Sequence, residues 1–178
     1  HTGRGPTVVI TDLGVLEPPR LFLGGRPDEA GRILEIVNAA AEAYRGVIPD
    51  DCWHEPYMSV DQLDREIAAG VAFWGREVNG QLAGVMGVQP VKDVELIRPA
   101  YVLPAHQGAG IGGAMLEHLK GRARGRVLVG TWAAATWAIR LYERHGSRLV
   151  APARTAEVLK AYWDISPRQI ETSVVLAD

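Results

Sequence analysis

The spacing of apolar residues along the chain predicts alternating strands and helices. Val8, Val9 and Ile10 read as a first short strand, followed by a Pro/Gly-rich connection from Pro18 to Pro27. Asp28 and Glu29 suit a first helical turn, and Ile33, Ile36, Val37, Ala40 and Tyr44 then keep the helical period. A loop covers residues 46–58. Ser59 and Gln62 make a capping-box pattern ahead of a second helix, which turns Leu63 and Ile67 inward and ends at Gly70. Asn79-Gly80 separates Val71–Val78 from Gln81–Val88, a strong hairpin signal, and residues 94–103 form the next strand. Ile111, Met115, Leu119 and Ala123 mark one face of a helix, and Val127–Val129 return as a strand. Trp137, Ala138, Leu141 and Tyr142 mark another helix, stopped by Gly146, and Leu149-Val150 and residues 170–176 supply two last strands. The strand–helix–strand run through residues 94–129 predicts a right-handed βαβ crossover.

Composition narrows the function classes. A chain of 178 residues with 47% hydrophobic content suits one domain over residues 1–178, with residues 1–6 set aside as an expression remnant or a trimmed start. Nineteen basic residues against 21 acidic ones give a formal charge of −2, so no nucleic-acid partner is expected. No apolar segment is long enough to cross a bilayer, and no membrane partner is expected. Cys52 is the only cysteine, which excludes an intramolecular disulfide and fits a reducing cytoplasm as the expected location. Asp50-Asp51-Cys52-Trp53-His54-Glu55 holds residue types that can bind zinc, but their adjacency is not a tetrahedral ligand spacing, and no metal is expected.

The densest chemistry lies in Tyr101-Val102-Leu103-Pro104-Ala105-His106-Gln107-Gly108-Ala109-Gly110-Ile111-Gly112-Gly113. Here an apolar strand turns into a glycine-rich helix start. Glycines allow close approach to the backbone, and the first helical amides have no intrahelical acceptors, so the segment suits a phosphate or pyrophosphate. A P-loop fails, because Gly112-Gly113 is followed by Ala114-Met115 instead of Lys and Ser or Thr. Gly108, Gly110 and Gly113 satisfy the dinucleotide pattern G-x-G-x-x-G, but residues 104–107 separate them from the strand and no acid occurs in residues 128–135. Val102, Pro104, Gln107, Gly108, Gly110 and Gly112 match V-x-P-x-x-Q/R-G-x-G-x-G/A at every fixed position.

That last pattern resembles the acetyl-CoA pyrophosphate loop of the GNAT superfamily of N-acetyltransferases. Ala138-Ile139-Arg140-Leu141-Tyr142-Glu143-Arg144-His145-Gly146 is similar to the family's second signature, A-x-x-L-Y-E-K/R-x-G. The element order agrees over roughly residues 27–176. The resemblance implies an α/β (α+β) fold with a mixed, mostly antiparallel sheet flanked by helices and a crossover at the CoA site. It implies an acyl-CoA-dependent N-acyltransferase that moves an acetyl group from acetyl-CoA to a primary amine of a small molecule, peptide or protein, and it allows a homodimer. A non-catalytic CoA-binding module and a dinucleotide oxidoreductase are the alternatives.

Carried over position by position, the resemblance gives residues 101–103 and 107–113 to the cofactor: Tyr101, Val102, Leu103, Gln107, Gly108, Ala109, Gly110, Ile111, Gly112 and Gly113. The Val102 amide is the candidate donor to the thioester oxygen. Tyr142 is the candidate general acid or a ring packed beside Leu141, and Glu95 the candidate base or a solvated strand-end carboxylate beside Lys92 and Asp93. His106 suits the pyrophosphate rim. The family carries its acceptor pocket under the loop between the first two helices. Tyr44, Trp53 and Tyr57 there could wall that pocket and Asp50, Asp51 and Glu55 attract an ammonium group, or the loop could be a rigid surface element. The family's frequent Asn and Phe are replaced by Ala135 and Ser147.

Overall fold

The computed structural model describes residues 9–11, 14–16, 20–22 and 27–178, with side chains from Glu29 onward. Three short strands, β1 (Val9–Thr11), β2 (Gly14–Leu16) and β3 (Arg20–Phe22), precede α1 (Pro27–Ala40), which runs on into a 3-10 turn, Ala41–Tyr44. A second such turn, Asp50–Cys52, leads to α2 (Val60–Ala68). Then come β4 (Ala72–Val78), β5 (Gln81–Val91), β6 (Val94–Ile97), β7 (Tyr101–Val102), α3 (Ile111–Arg122) and β8 (Arg126–Trp132). The chain closes with α4 (Thr136–Arg144), β9 (Arg148–Leu149), α5 (Pro152–Tyr162), α6 (Pro167–Thr172) and β10 (Ser173–Ala177).

Local chemistry accounts for most boundaries. Ser59 Oγ accepts from the Gln62 N–H at 3.1 Å and starts α2. Asn79 and Gly80 both have positive φ, 53° and 79°, the geometry that matches hairpin twist between β4 and β5. Two helices escape the apolar pattern. α5 is rich in alanine and buries chiefly Leu159, while α6 has only six residues, opened by a capping box between Ser166 and Gln169 with Pro167 in its first turn. Because α6 occupies residues 167–172, the last strand begins at Ser173 and not at Ile170. The penultimate strand is Arg148–Leu149. Val8, residues 1–6 and most of the connection from Pro18 to Pro27 lie outside the described residues, although β3 falls within that connection.

The strands form one mixed sheet in the order β1-β2-β4-β5-β6-β8-β10-β9, with β3 also on β4 and β7 also on β5. Every pairing is antiparallel except β6 with β8, the pair that α3 joins across one face. The segment expected as one strand over residues 94–103 is broken. Arg98 N–H still donates to the Gly87 carbonyl at 2.8 Å, and Tyr101 is paired with Val85, so Pro99 and Ala100 together oppose Met86. Proline has no N–H to offer the ladder, which places the bulge there. Beyond it β7 follows β5, while β8 leaves β6 after Val129 and follows β10 to Trp132. A wedge opens between β7 and β8.

The main core fills both faces of the sheet. Ile111, Met115, Leu116 and Leu119 of α3 cover one, and Ile33, Ile36 and Val37 of α1 with Leu63 of α2 belong to the same cluster. A smaller cluster joins Val94, Leu96, Leu128 and Val175 to Leu159 of α5. Two glycines outside the glycine loop show how close the packing is. A Cβ on Gly125, at the turn from α3 into β8, would meet the Asp93 carbonyl oxygen at 2.8 Å, whereas one on the exposed Gly121 would meet nothing within 4 Å. Gly125→Ala should therefore destabilise the protein by ~1–3 kcal/mol through overpacking against backbone. Gly121→Ala should stabilise it by roughly 0.5–1 kcal/mol through helix propensity. Urea denaturation of both variants checks the opposite signs.

Candidate active site

The wedge is flanked by two clefts, one on each side of Tyr101. The larger, about 570 Å³, is lined by Tyr101, Val102, Gln107, Gly108, Gly110, Ile111, Gly112 and Gly113, with His106, Tyr44, Trp137, Leu141 and Arg144 around them. The remaining expected cofactor residues do not line it. Leu103 donates its N–H to the Ala83 carbonyl at 2.9 Å, and Ala109 is half-buried against the core. That same Leu103 bond fixes the direction of the neighbouring amides. In an antiparallel ladder alternate residues bond the same partner, so Tyr101 turns its N–H toward β5 and Val102 turns its own away, into the wedge. The Val102 carbonyl accepts from Gln107 Nε2 at 3.3 Å, which ties the loop back to the strand.

The glycines divide into two kinds. Gly108 and Gly110 have φ of 85° and 78°, and a Cβ on either would meet nothing within 4 Å. They are required by the backbone path. The first α-helical bond of α3 runs from Ala114 N–H to the Gly110 carbonyl, so the amides of Ile111, Gly112 and Gly113 are left facing the cleft end of the helix. Gly112 and Gly113 answer instead to packing against α4. A Cβ would lie 3.3 Å from Leu141 Cδ2 at Gly112 and 2.6 Å from His145 Nε2 at Gly113. His145 is held there by Glu117, 2.5 Å from its Nδ1.

Tyr142 is fully buried, and its hydroxyl accepts the Ala100 N–H at 3.2 Å. The sequence signature thus brings the phenol onto the bulge itself, next to a residue that lines the larger cleft. Ala135, where the family often has Asn, is also fully buried. Thr131 on β8 carries a buried hydroxyl without a partner.

On the other side a smaller cavity of about 150 Å³ lies between α2 and the segment after α5. Tyr57, Gln62, Glu66, Arg98, Pro99, Tyr101, Trp132 and Trp163 contribute to its wall. Tyr101 lines both clefts, with Tyr44 beside it in the larger and Tyr57 in the smaller. Trp132 Nε1 donates to the Tyr57 hydroxyl at 2.8 Å, fixing that ring.

Several expected acceptor residues lie elsewhere. Tyr44 walls the larger cleft, stacked on Trp137 at 5.9 Å. Trp53 gives its indole N–H to Glu55 at 2.9 Å and lies under Arg45, so it braces the loop. Asp51 is held by Arg168 of α6 through bonds of 2.8 and 3.1 Å, and its charge is already answered; Asp50 is exposed at the start of its turn and lines neither cleft. Only Tyr57 of that set faces the small cavity. Glu95 is also displaced. It accepts the Arg124 N–H at 2.7 Å and lines a separate depression with Trp74 and Arg122, at the end of β6 away from the bulge. The bulge at Pro99–Ala100 reverses the alternation, so Glu95 lies on the α3 face with Trp74 and Leu119, whereas Arg98 and Tyr101 line the small cavity on the opposite face. Glu66, which sequence reasoning passed over as a polar position of α2, is the carboxylate in the small cavity's lining among the described residues. No three His, Cys, Asp or Glu side chains among the described residues form a metal-binding group.

Burial raises the pKa of Tyr44, Tyr57, Tyr101 and Tyr142, with desolvation the largest cause for each. All four stay protonated in the folded protein at pH values where an unfolded tyrosine, with pKa about 10, ionises. Their contribution to stability is complete below pH ~10 and is lost as pH rises toward the folded values. Each should remove about 1.4 kcal/mol per pH unit in that window. Denaturation between pH 8 and 11 should show a flat region and then a steep fall, which Tyr142→Phe makes shallower. At neutral pH that same variant should cost ~1–3 kcal/mol by leaving the Ala100 N–H without its partner.

A family model described as the acetyltransferase (GNAT) family matches residues 33–147. No curated protein matches by sequence. Solved structures match the fold closely at low identity. The PaiA N-acetyltransferase of Thermoplasma acidophilum, in complex with coenzyme A, has a TM-score of 0.66 at 12% identity over 92% of this chain and 98% of that one. The GNAT domain of S. lividans PAT gives 0.67 at 16% identity, covering 97% and 95%. A GNAT family acetyltransferase from Elizabethkingia anophelis with acetyl-CoA bound gives 0.60 at 19% identity, covering 94% and 98%. With the glycine loop, the bulge and the wedge in place, and a family match over most of its length, the chain belongs to the GNAT family of acetyltransferases.

Proposed function

We propose that the protein transfers the acetyl group of acetyl-CoA to a primary amine by direct attack within a ternary complex. The observation that carries this reading is the wedge between β7 and β8, with a glycine-lined cleft on one side and a cavity holding a carboxylate on the other. The amides of α3 and the side chains of Arg144 and His106 would take the phosphates, and Tyr44 and Trp137 would wall the cleft around the pantetheine arm. Bound there, acetyl-CoA supplies an activated acyl group. The amine nitrogen forms a bond to the thioester carbon, the C–S bond breaks, and one proton leaves the nitrogen while another reaches the thiolate.

This chain's groups support each requirement. The Val102 N–H points into the wedge and suits the developing negative charge on the acyl oxygen. Tyr142 Oη accepts from the Ala100 N–H, so its own hydrogen is free to be donated, and burial keeps it in place at neutral pH. That supports Tyr142 as the proton source for the thiolate. Glu66 takes the role first considered for Glu95, accepting the proton of the attacking amine. A dinucleotide oxidoreductase would need a doubly wound parallel sheet, and here β6–β8 is the parallel pair among the described strands.

Calorimetry with acetyl-CoA, followed by mass spectrometry of a broad amine panel, tests the proposal; binding without any acetylation would make this a CoA-binding module instead. Gly110→Val should abolish acetyl-CoA binding with circular dichroism unchanged, since the added side chain has space but not an allowed backbone angle. Glu66→Gln should lower kcat by ~10²–10⁴-fold. Glu95→Gln should leave turnover at the wild-type level, because Glu95 lies at the other end of β6.

A further inference from the structure

Two opposite charges line the small cavity without neutralising one another. Arg98 lies on the face of β5 where its Cγ would be 3.1 Å from a Cβ on Gly87, so the absence of a side chain at Gly87 makes room for its stem. Its Nη2 donates to Gln89 Oε1 at 2.9 Å, and Gln89 Nε2 in turn donates to the Ala69 carbonyl at 2.9 Å, at the end of α2. The guanidinium is therefore held in position by a relay to the helix that carries Glu66. Its Nε is buried and has no hydrogen-bond partner. Some arginines find carboxylates, as Arg32 does with Glu35, Arg45 with Glu42 and Glu55, and Arg168 with Asp51 and Glu171. Arg98 forms no such pair among the described residues. Glu66 receives one bond, from Gln62 Nε2 at 3.2 Å, and no cation among the described residues pairs with it.

We infer that the acceptor is a small zwitterion, an amine that carries its own carboxylate, with Arg98 binding the carboxylate and Glu66 facing the ammonium. The inference rests on the N-acetyltransferase reading and adds the substrate class. A guanidinium in the cavity wall without a carboxylate partner is completed by a ligand carboxylate, through charge-assisted bonds that a neutral amine cannot provide. A purely cationic amine meets the like charge of Arg98 and is disfavoured on that side, so one residue both attracts the correct acceptor and repels the wrong one. The cavity volume, about 150 Å³, corresponds to a molecule of amino-acid size. The cavity reaches Pro99 and Tyr101 at the bulge, so an amine held by Glu66 lies on the route to the wedge.

The test compares matched acceptors. Alanine, β-alanine, γ-aminobutyrate and glutamate are each paired with their primary carboxamides and with plain alkylamines of equal length. Affinity is measured by calorimetry on the CoA-saturated protein, and turnover by mass spectrometry. At least one carboxylated acceptor should exceed its amide by roughly 10–100-fold in Kd or kcat/KM, the range for a hydrogen bond to a charged group. Arg98→Gln should collapse that ratio toward one, and Arg98→Lys should keep only part of it, because lysine lacks the planar fork. Unchanged acetyl-CoA affinity and circular dichroism confirm that the variants are folded, and the wild-type ratio decides the matter by itself if Arg98→Gln fails to fold. Amides or alkylamines binding as well as the carboxylated acceptors would overturn the zwitterion and leave the acetyltransferase reading intact. Failure of the protein to bind acetyl-CoA would overturn both.

Discussion

The bond from the Ala100 N–H to the Tyr142 hydroxyl, at the bulge between β6 and β7, is the contact on which the site depends. A strand that met β8 along its whole length would satisfy its amides in the sheet and leave no wedge. Pro99 interrupts the ladder, Ala100 loses its strand partner, and the phenol of a helix on the opposite side of the wedge supplies the replacement. The break is stable because the orphaned donor is answered in a buried place, where leaving it unpaired would cost ~1–3 kcal/mol. The same contact ties α4 to the strand that leads into the glycine loop, so the second signature supports the geometry of the first.

How much of this was legible depended on how local the cause was. The glycine loop and the hairpin at Asn79-Gly80 follow from backbone requirements of a few adjacent residues, and both stand where the sequence places them. Residues 94–103 have the composition of one strand, and the break at Pro99 becomes visible only in the pairing with β5 and β8. The acceptor side depended on distant partners. Asp51 looks like a free acid in the sequence, yet its charge is taken by Arg168, 117 residues further on. Alternation puts Glu95 on the face of Tyr101, but the bulge at Pro99–Ala100 reverses the alternation, and Glu95 lies on the α3 face, bonded to the Arg124 N–H. Glu66 gives no local signal, because a carboxylate on an amphipathic helix ordinarily faces water.

The glycine signature also mixes two physical causes. Gly108 and Gly110 provide backbone angles that L side chains rarely adopt, while Gly112 and Gly113 allow α3 and α4 to approach. Gly113 lies against His145, which sits within the second signature, so the two sequence patterns meet as one helix–helix contact. Their spacing along the chain is the trace of that contact. Backbone geometry and helix packing are superposed in a single run of glycines.

Tyr101 separates the two clefts with one buried side chain that lines both, beside Tyr44 in one and Tyr57 in the other. A partition of that kind makes the occupancy of the two clefts thermodynamically linked. Any shift of the ring that one ligand favours alters the wall presented to the other. The factor by which a ligand in one cleft changes affinity in the other must then equal the factor by which the second ligand changes affinity for the first. Synergy or antagonism between the two clefts can in this way arise from one side chain's position, with no movement of a domain or a lid.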